Sequence, residues 1–146
     1  MPDSTVLAPV HDHPGDPQQP IDGMALCMSG GGYRAMVFHL GSLWRLNELG
    51  LLHKLDQISS VSGGSITNGV LAMNWNSLRF DANGFAQNFD QAVTQPIRNM
   101  ASQSVDVSSV LEGVIGGVSN HVADHYNKYL FHNIKLAALP DAARPA

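Results

Sequence analysis

Cysteine and long apolar runs are scarce in this sequence. Cys27 is the single cysteine among 146 residues, which excludes an intrachain disulfide framework and is compatible with a reducing compartment. No stretch approaches the roughly 20 apolar residues that a membrane-spanning helix needs, and the amino terminus lacks the basic and apolar regions of a secretory signal. We therefore expect a cytoplasmic chain, with peripheral membrane contact left open.

Positive charge is also scarce. Eight lysines and arginines stand against twelve aspartates and glutamates, and no basic residue precedes Arg34. Proteins that bind the phosphate backbone of nucleic acids concentrate basic side chains on one surface. The scattered basic residues and the net charge of −4 therefore argue against a nucleic-acid partner. The sequence does not indicate an oligomeric state.

Residues 1–22 have the composition of a disordered leader. They hold five of the eight prolines together with several aspartates, a mixture that cannot bury enough apolar surface to fold. The close pair His11 and His13 lies within this segment, where nothing pre-organises a metal site. Residues 23–146 are long enough to form one folded domain.

The first ordered element is predicted to be a buried strand. Residues 24–28 form a continuous apolar run, typical of a strand covered on both faces of a parallel sheet, and Cys27 within it is expected to be buried and inert. A glycine-rich corner follows at residues 29–32. Residues 33–49 then have a helical period, with Gly50 as the expected C-cap. The predicted apolar face of this helix consists of Tyr33, Met36, Val37, Leu40, Leu43 and Trp44.

A second strand and a second corner come next. Residues 57–61 are predicted to be a short strand, residues 62–65 a tight corner, and the following residues a helix whose apolar face is formed by Ile66, Val70, Leu71 and Met73. This strand–helix–strand unit implies parallel strands joined by a right-handed crossover. The predicted fold class is α/β with a mainly parallel sheet.

The remaining residues are predicted to be mainly helical. Residues 81–84 are turn material, and Pro96 is expected to start a fresh helix. Phe85, Phe89 and Val93 are spaced four apart, and further apolar stripes indicate helices over residues 107–115 and 122–130.

Both corners follow the carboxyl end of a strand. In a parallel sheet these ends lie on one edge, where the active sites of open α/β sheets are found, so we expect Gly30, Gly31 and Gly32 to face the same crevice as Ser62. An ester hydrolase needs a serine hydroxyl beside exposed backbone amides, because the amides stabilise the oxyanion of the transition state. Glycines leave such amides open to an acyl group.

The second corner carries the predicted nucleophile. Residues 60–64, Ser-Val-Ser-Gly-Gly, are a near match to the nucleophile elbow G-x-S-x-G, with Ser60 in the first glycine position. Ser59 is expected inside the strand and Ser65 inside the helix, so neither competes for the corner. Ser62 is therefore the predicted nucleophile, and Gly63 is a further predicted oxyanion donor.

Other polar residues near these elements have several interpretations. Arg34 lies in the first turn of the predicted helix, where its positive charge opposes the helix dipole. Three interpretations are open: Arg34 steadies the glycine loop, it attracts an anionic lipid head group, or it is an exposed side chain without a role. His39 interrupts an apolar helix more than one turn beyond the glycine loop, and we expect a packing role. His121 and His125 are one helical turn apart, but no third ligand has suitable spacing, so no metal site is predicted.

These motifs resemble those of the patatin family. Residues 29–35, Ser-Gly-Gly-Gly-Tyr-Arg-Ala, look like the oxyanion motif D/S-G-G-G-x-R-G/A of patatins and cytosolic phospholipases, and residues 61–65, about thirty residues later, look like the family's nucleophile elbow. The likeness covers residues 23–75 and extends to the aromatic residues of 126–131. It implies a three-layer α/β sandwich, hydrolysis of acyl esters in lipids, a Ser–Asp dyad and no cofactor.

The sequence departs from the family at the aspartate of the dyad. The resemblance places that residue in a later Asp-Gly-Gly or Asp-Gly-Ala motif, whereas the only Asp-Gly pair here is Asp22–Gly23, before the glycine loop. We therefore expect residues 23–146 to be the amino-terminal part of a patatin-like domain, truncated before its catalytic aspartate segment. Little hydrolytic activity is expected from it alone.

Two alternatives stay open. An α/β-hydrolase with a Ser–Asp–His triad would use a histidine such as His121, His125 or His132; it explains the elbow but not the glycine loop with Arg34. A non-catalytic lipid-binding or interaction protein would keep the same scaffold with a degenerate site.

Overall fold

The computed structural model describes residues 22–102, 124, 126–135 and 139. Within them, the framework consists of β1 (Ala25–Met28), α1 (Gly32–Glu48), β2 (Gln57–Ser60), α2 (Gly63–Asn74) and α3 (Gln95–Ser102). Short 3-10 turns lie at Leu52–Lys54 and Trp75–Ser77, and π-helical segments lie at Asp90–Thr94 and Asn127–Phe131. The predicted order of strands, corners and helices over residues 24–75 is confirmed.

The two strands are parallel neighbours. Their register pairs Ala25 with Gln57 at one end and Met28 with Ser60 at the other, and the backbone N–H of Val61 donates to the Met28 carbonyl oxygen at 2.9 Å just beyond. A parallel pair needs a crossover connection, which α1 provides. The α/β fold class with a parallel sheet is therefore confirmed, and both strands end at the same edge.

The prediction that β1 is buried on both faces is wrong. Leu26 is half-buried and Met28 is 2% exposed, but Ala25 and Cys27 are exposed. Successive side chains of a strand point to opposite faces, and helices cover only one face of the sheet among the described residues. Cys27 therefore lies on the open face, where its sulfur accepts a hydrogen bond from Ser59 Oγ at 3.2 Å, and the expected burial of this thiol is wrong too.

The apolar face of α1 is largely as predicted. Met36, Leu40 and Leu43 are buried, and Tyr33 and Trp44 are half-buried against the core. Val37 is instead 45% exposed. It lies about 100° around the helix from Met36, at the margin of the face that α2 covers.

Gly50 ends α1 as predicted. Its φ is 63°, a left-handed conformation that glycine adopts without steric cost. Its N–H donates to the Asn47 carbonyl oxygen at 2.9 Å, and the N–H of Leu51 donates to the Leu46 carbonyl oxygen at 2.8 Å. These two bonds form a Schellman motif, which satisfies carbonyls that the last helical turn would leave unpaired.

The core lies between the helices and the covered face of the sheet. Two polar side chains within it connect separate elements. Thr67 Oγ1 donates to the Met36 carbonyl oxygen at 2.9 Å and so ties α2 to α1. The side-chain amide of Asn47 exchanges two hydrogen bonds, of 2.7 and 3.2 Å, with the backbone of Ala86. The buried apolar side chains are Met28, Met36, Leu40, Leu43, Leu52, Val70, Leu71, Leu78, Ala86, Phe89, Val93, Ile97, Met100 and Leu130.

The segment after α2 contains the predicted turn. Asp81 Oδ1 accepts hydrogen bonds from the backbone N–H groups of Asn83 and Phe85. Pro96 is the second residue of α3, but α3 is not a separate helix, because the π-helical segment Asp90–Thr94 runs directly into it. Among the described residues, no helix is long and apolar enough to cross a membrane. The predicted helix at residues 107–115 and the residues 1–21 lie outside the described part.

Candidate active site

The glycine loop joins β1 to α1 through a backbone that needs glycine at two positions. Gly30 has a φ of 104° and Gly32 a φ of 68°, both in the region that side chains strongly disfavour. Gly31 between them is extended, with a φ of −97° and a ψ of 152°. A side chain at Gly31 would therefore cause no backbone strain, but it would lie in contact with Ser62 Oγ.

Ser62 occupies a strained corner between β2 and α2. Its φ is 56° and its ψ is −125°, a combination that costs a non-glycine residue ~1–3 kcal/mol and is concentrated at functional sites. The strained serine of a strand–turn–helix elbow has its hydroxyl lifted out of the chain, and Ser62 is indeed exposed. The two competing serines lie where the sequence predicts them, Ser59 within β2 and Ser65 within α2.

The two corners touch. A Cβ atom placed on Gly31 would lie 3.6 Å from Ser62 Oγ. A Cβ on Gly63 would lie 2.5 Å from the Gly32 carbonyl oxygen and 2.9 Å from that of Gly30, so the start of α2 fits directly under the glycine loop. The structure thus brings the Gly31 position close to the Ser62 hydroxyl and packs Gly63, the residue after Ser62, against the carbonyl oxygens of Gly30 and Gly32.

Glycine is also required at Gly64, for packing. A Cβ there would lie 2.7 Å from the Met28 carbonyl oxygen, closer than real carbon–oxygen contacts. The position two residues before Ser62 tolerates a side chain, because Ser60 is a regular residue of β2 and its hydroxyl accepts a hydrogen bond from Asn68 Nδ2 at 3.0 Å. The departure of this elbow from the G-x-S-x-G pattern is therefore accommodated.

His39 has a contact that the sequence did not predict. Its ring is buried, at 9% exposure, and Nε2 lies 2.5 Å from the carbonyl oxygen of Ser29, the first residue of the glycine loop. The expected packing role is thus incomplete. Helix geometry offers a clue in the sequence, because His39 follows Gly32 by two helical turns and lies on nearly the same side of α1.

Arg34 is exposed in the first turn of α1. Among the described residues, no hydrogen bond or ion pair engages its guanidinium group; the described ion pair is Arg45–Glu48, at the far end of the same helix. The described contacts therefore do not tie Arg34 to the glycine loop, and its side chain is exposed at the start of α1.

A later segment approaches the beginning of α1. Burial raises the pKa of Tyr33, and the neighbouring phenol of Tyr126 raises it further. Burial also raises the pKa of Tyr126. Both phenols are therefore neutral at neutral pH.

A cavity of about 310 Å³ lies along α2. One side of it is formed by Ser65, Gly69 and Met73, which are spaced four apart on one helix face. The opposite wall contains Asn127, Phe131, Ile134, Lys135 and Leu139. The lining of this largely apolar space begins at Ser65, about one helical turn beyond Ser62, and does not include Ser62 or the glycine loop.

The residues of the alternative mechanisms are less well placed. His121 and His125 lie outside the described residues, and His132 is exposed after the π-helical segment Asn127–Phe131. The pair Asp22–Gly23 precedes β1, at the opposite end of the strand from the glycine loop. Among the described residues, no hydrogen bond joins an aspartate or a histidine to the Ser62 hydroxyl.

The described residues thus form an α/β unit with parallel strands, on which a strained serine corner lies against a glycine loop. The family model described as Patatin-like phospholipase matches residues 26–144, which is more than half of the chain. The protein therefore belongs to the patatin-like phospholipase family. Comparison with curated proteins and with solved structures found no significant match.

Proposed function

We propose that this chain carries the nucleophile and the oxyanion hole of a lipid acyl-ester hydrolase of the phospholipase A or lysophospholipase type. Ser62 is the nucleophile, and backbone amides around Gly30, Gly31, Gly32 and Gly63 hold the oxyanion. The observation that carries the proposal is the position of Ser62 Oγ, on a strained corner and 3.6 Å from where a Gly31 Cβ would lie.

The proposed reaction has two steps. Ser62 Oγ loses its proton to a base and attacks the acyl carbonyl carbon; the oxyanion collapses, the alcohol leaves with a proton, and an acyl-serine ester remains. Water then attacks this ester, releases the fatty acid and restores the serine. These steps need a base and amide donors, but neither a metal nor an organic cofactor.

The base is proposed to be an aspartate of a Ser–Asp dyad, in keeping with the patatin-like family. No Asp-Gly pair occurs after Gly23 in the printed sequence, so we propose that these 146 residues lack that base. A serine nucleophile without its base loses several orders of magnitude in rate. The polypeptide should therefore hydrolyse a short-chain p-nitrophenyl ester slowly; Ser62-dependent turnover at an ordinary enzyme rate would contradict this.

A lipid substrate is supported by two features around Ser62. The cavity along α2 offers largely apolar space beginning one turn from the nucleophile, which suits an acyl chain. Arg34 is exposed at the start of α1, and we propose that it attracts an anionic head group at a membrane surface. Peripheral contact with lipid follows from this proposal.

The direct test is covalent labelling of Ser62 with excess fluorophosphonate probe, followed over hours so that a slow reaction is measurable. Mass spectrometry should locate the adduct on Ser62, and Ser62→Ala should abolish it. Ser59→Ala and Ser65→Ala are matched controls, because these hydroxyls flank the elbow and should leave labelling intact. Binding of lipid vesicles without labelling would favour the non-catalytic alternative, and loss of labelling in His132→Ala would favour a histidine triad.

A further inference from the structure

Ser29 is the first residue after β1, and its carbonyl group lies at the start of the glycine loop. The last described bond between β1 and the residues after β2 joins Val61 N–H to the Met28 carbonyl oxygen. The next carbonyl oxygen along the chain, that of Ser29, accepts from His39 Nε2 at 2.5 Å instead. This part-buried hydrogen bond gives the Ser29 carbonyl oxygen a donor at the point where the chain leaves the sheet for the glycine loop.

This contact determines both a proton position and a peptide orientation. A carbonyl oxygen can only accept, so the hydrogen must be on His39 Nε2. The peptide unit is planar and trans, so the C=O of Ser29 and the N–H of Gly30 point in opposite directions. Because the C=O points at His39, the N–H of Gly30 points away from α1.

The loop packs against Gly63 at the start of α2, but its own glycines do not restrict it to this orientation. Gly30 and Gly32 both have positive φ, and glycine moves between such conformations at low cost. The helix that carries His39 is firmly placed, because Thr67 of α2 bonds to the Met36 carbonyl oxygen and Met36 is fully buried. The His39–Ser29 bond therefore connects a flexible loop to the two helices that also position Ser62.

We propose that His39 is a positioning residue for the oxyanion hole: its Nε2–H holds the Ser29–Gly30 peptide, and with it the glycine loop, in the orientation that faces Ser62. This inference rests on the proposed function. His39 does not contact substrate in this account; it acts through the Ser29 carbonyl group.

The test compares three variants at His39. Gln places an amide N–H at about the reach of Nε2, whereas Asn places one at about the reach of Nδ1 and Leu offers none. We expect His39→Gln to keep the maximal rate of Ser62 labelling within a few fold. His39→Asn and His39→Leu should lose roughly 10- to 100-fold, as expected when catalytic geometry shifts by about 1 Å. The probe concentration for half-maximal rate should not change.

A second measurement does not depend on catalysis. Nitrogen-15 NMR of histidine-labelled wild-type protein should show His39 protonated at Nε2; a hydrogen on Nδ1 alone would overturn the proposed bond. Thermal unfolding of each variant shows whether a slower labelling rate reflects loss of the fold or a change in the glycine loop alone. If His39→Leu does not fold, the comparison of His39→Gln with His39→Asn tests the positioning role.

The outcomes distinguish the two proposals. If wild-type protein is not labelled at Ser62, the proposed function fails and the positioning role fails with it, even where NMR confirms the His39 hydrogen bond. If wild-type protein is labelled but His39→Leu reacts at the same rate, or His39→Gln falls as far as His39→Leu, only the positioning role is overturned.

Discussion

The Gly31→Ala variant separates the chemistry of this site from its stability. Gly31 has extended backbone angles, φ −97° and ψ 152°, which alanine adopts freely. Apart from its chain neighbours, the only atom of the described residues within 4 Å of the added Cβ is Ser62 Oγ, at 3.6 Å, an ordinary van der Waals contact. Gly31 is also the N-cap of α1, where alanine is less favourable than glycine, so the free energy of unfolding should fall by no more than about 1 kcal/mol.

Activity should respond very differently. A carbonyl carbon must come within roughly 3–3.5 Å of the attacking oxygen, and the new methyl group at 3.6 Å occupies that space on the side of the oxyanion loop. Loss of one oxyanion donor typically costs ~10²- to 10³-fold in rate. We expect Gly31→Ala to slow Ser62 labelling by at least about 100-fold, since the acyl or phosphonyl group can no longer reach the amides.

The assay is the labelling rate with excess fluorophosphonate, measured beside thermal unfolding. Gly41→Ala is the matched control: it adds the same methyl group to an exposed position of α1, where no atom of the described part of the chain lies within 4 Å. It should therefore label normally and gain up to about 1 kcal/mol of stability from helix propensity. Labelling of Gly31→Ala within threefold of wild type would show that the glycine loop does not border the reacting oxygen.

Three further predictions concern residues that pack around the site and contribute to the stability of the fold. Asn47→Leu leaves the buried backbone N–H and C=O of Ala86 without partners and should cost about 2–4 kcal/mol in urea unfolding; a loss below 0.5 kcal/mol would contradict this. Gly64→Ala forces a Cβ to 2.7 Å from the Met28 carbonyl oxygen and should cost ~1–3 kcal/mol, whereas an unchanged melting temperature would mean that α2 is not held against β1. Burial raises the pKa of Tyr126, so its contribution to stability is complete below the unfolded pKa of about 10 and is lost as pH rises through the folded value. Tyr126→Phe should flatten the decline of melting temperature above pH ~10, and an identical decline would refute that reasoning.

The sequence alone determined the local elements that make the site. The strand–corner–helix order, the helix end at Gly50 and the elbow at Ser62 depend on residue types within a few positions of each other. Positive φ at Gly30 and a Schellman motif at Gly50 are consequences of glycine itself, and parallel strands follow from a helical crossover. These features could be predicted without any knowledge of distant contacts.

Tertiary structure decided what each element faces. The apolar run of β1 does not reveal that only one face is covered, so Cys27 was wrongly expected to be buried. The hydrogen bond from His39 to Ser29 and the 3.6 Å approach of the Gly31 position to Ser62 arise where separate segments meet. Burial and hydrogen bonding of this kind depend on neighbours that are distant in sequence, and no local pattern encodes their positions.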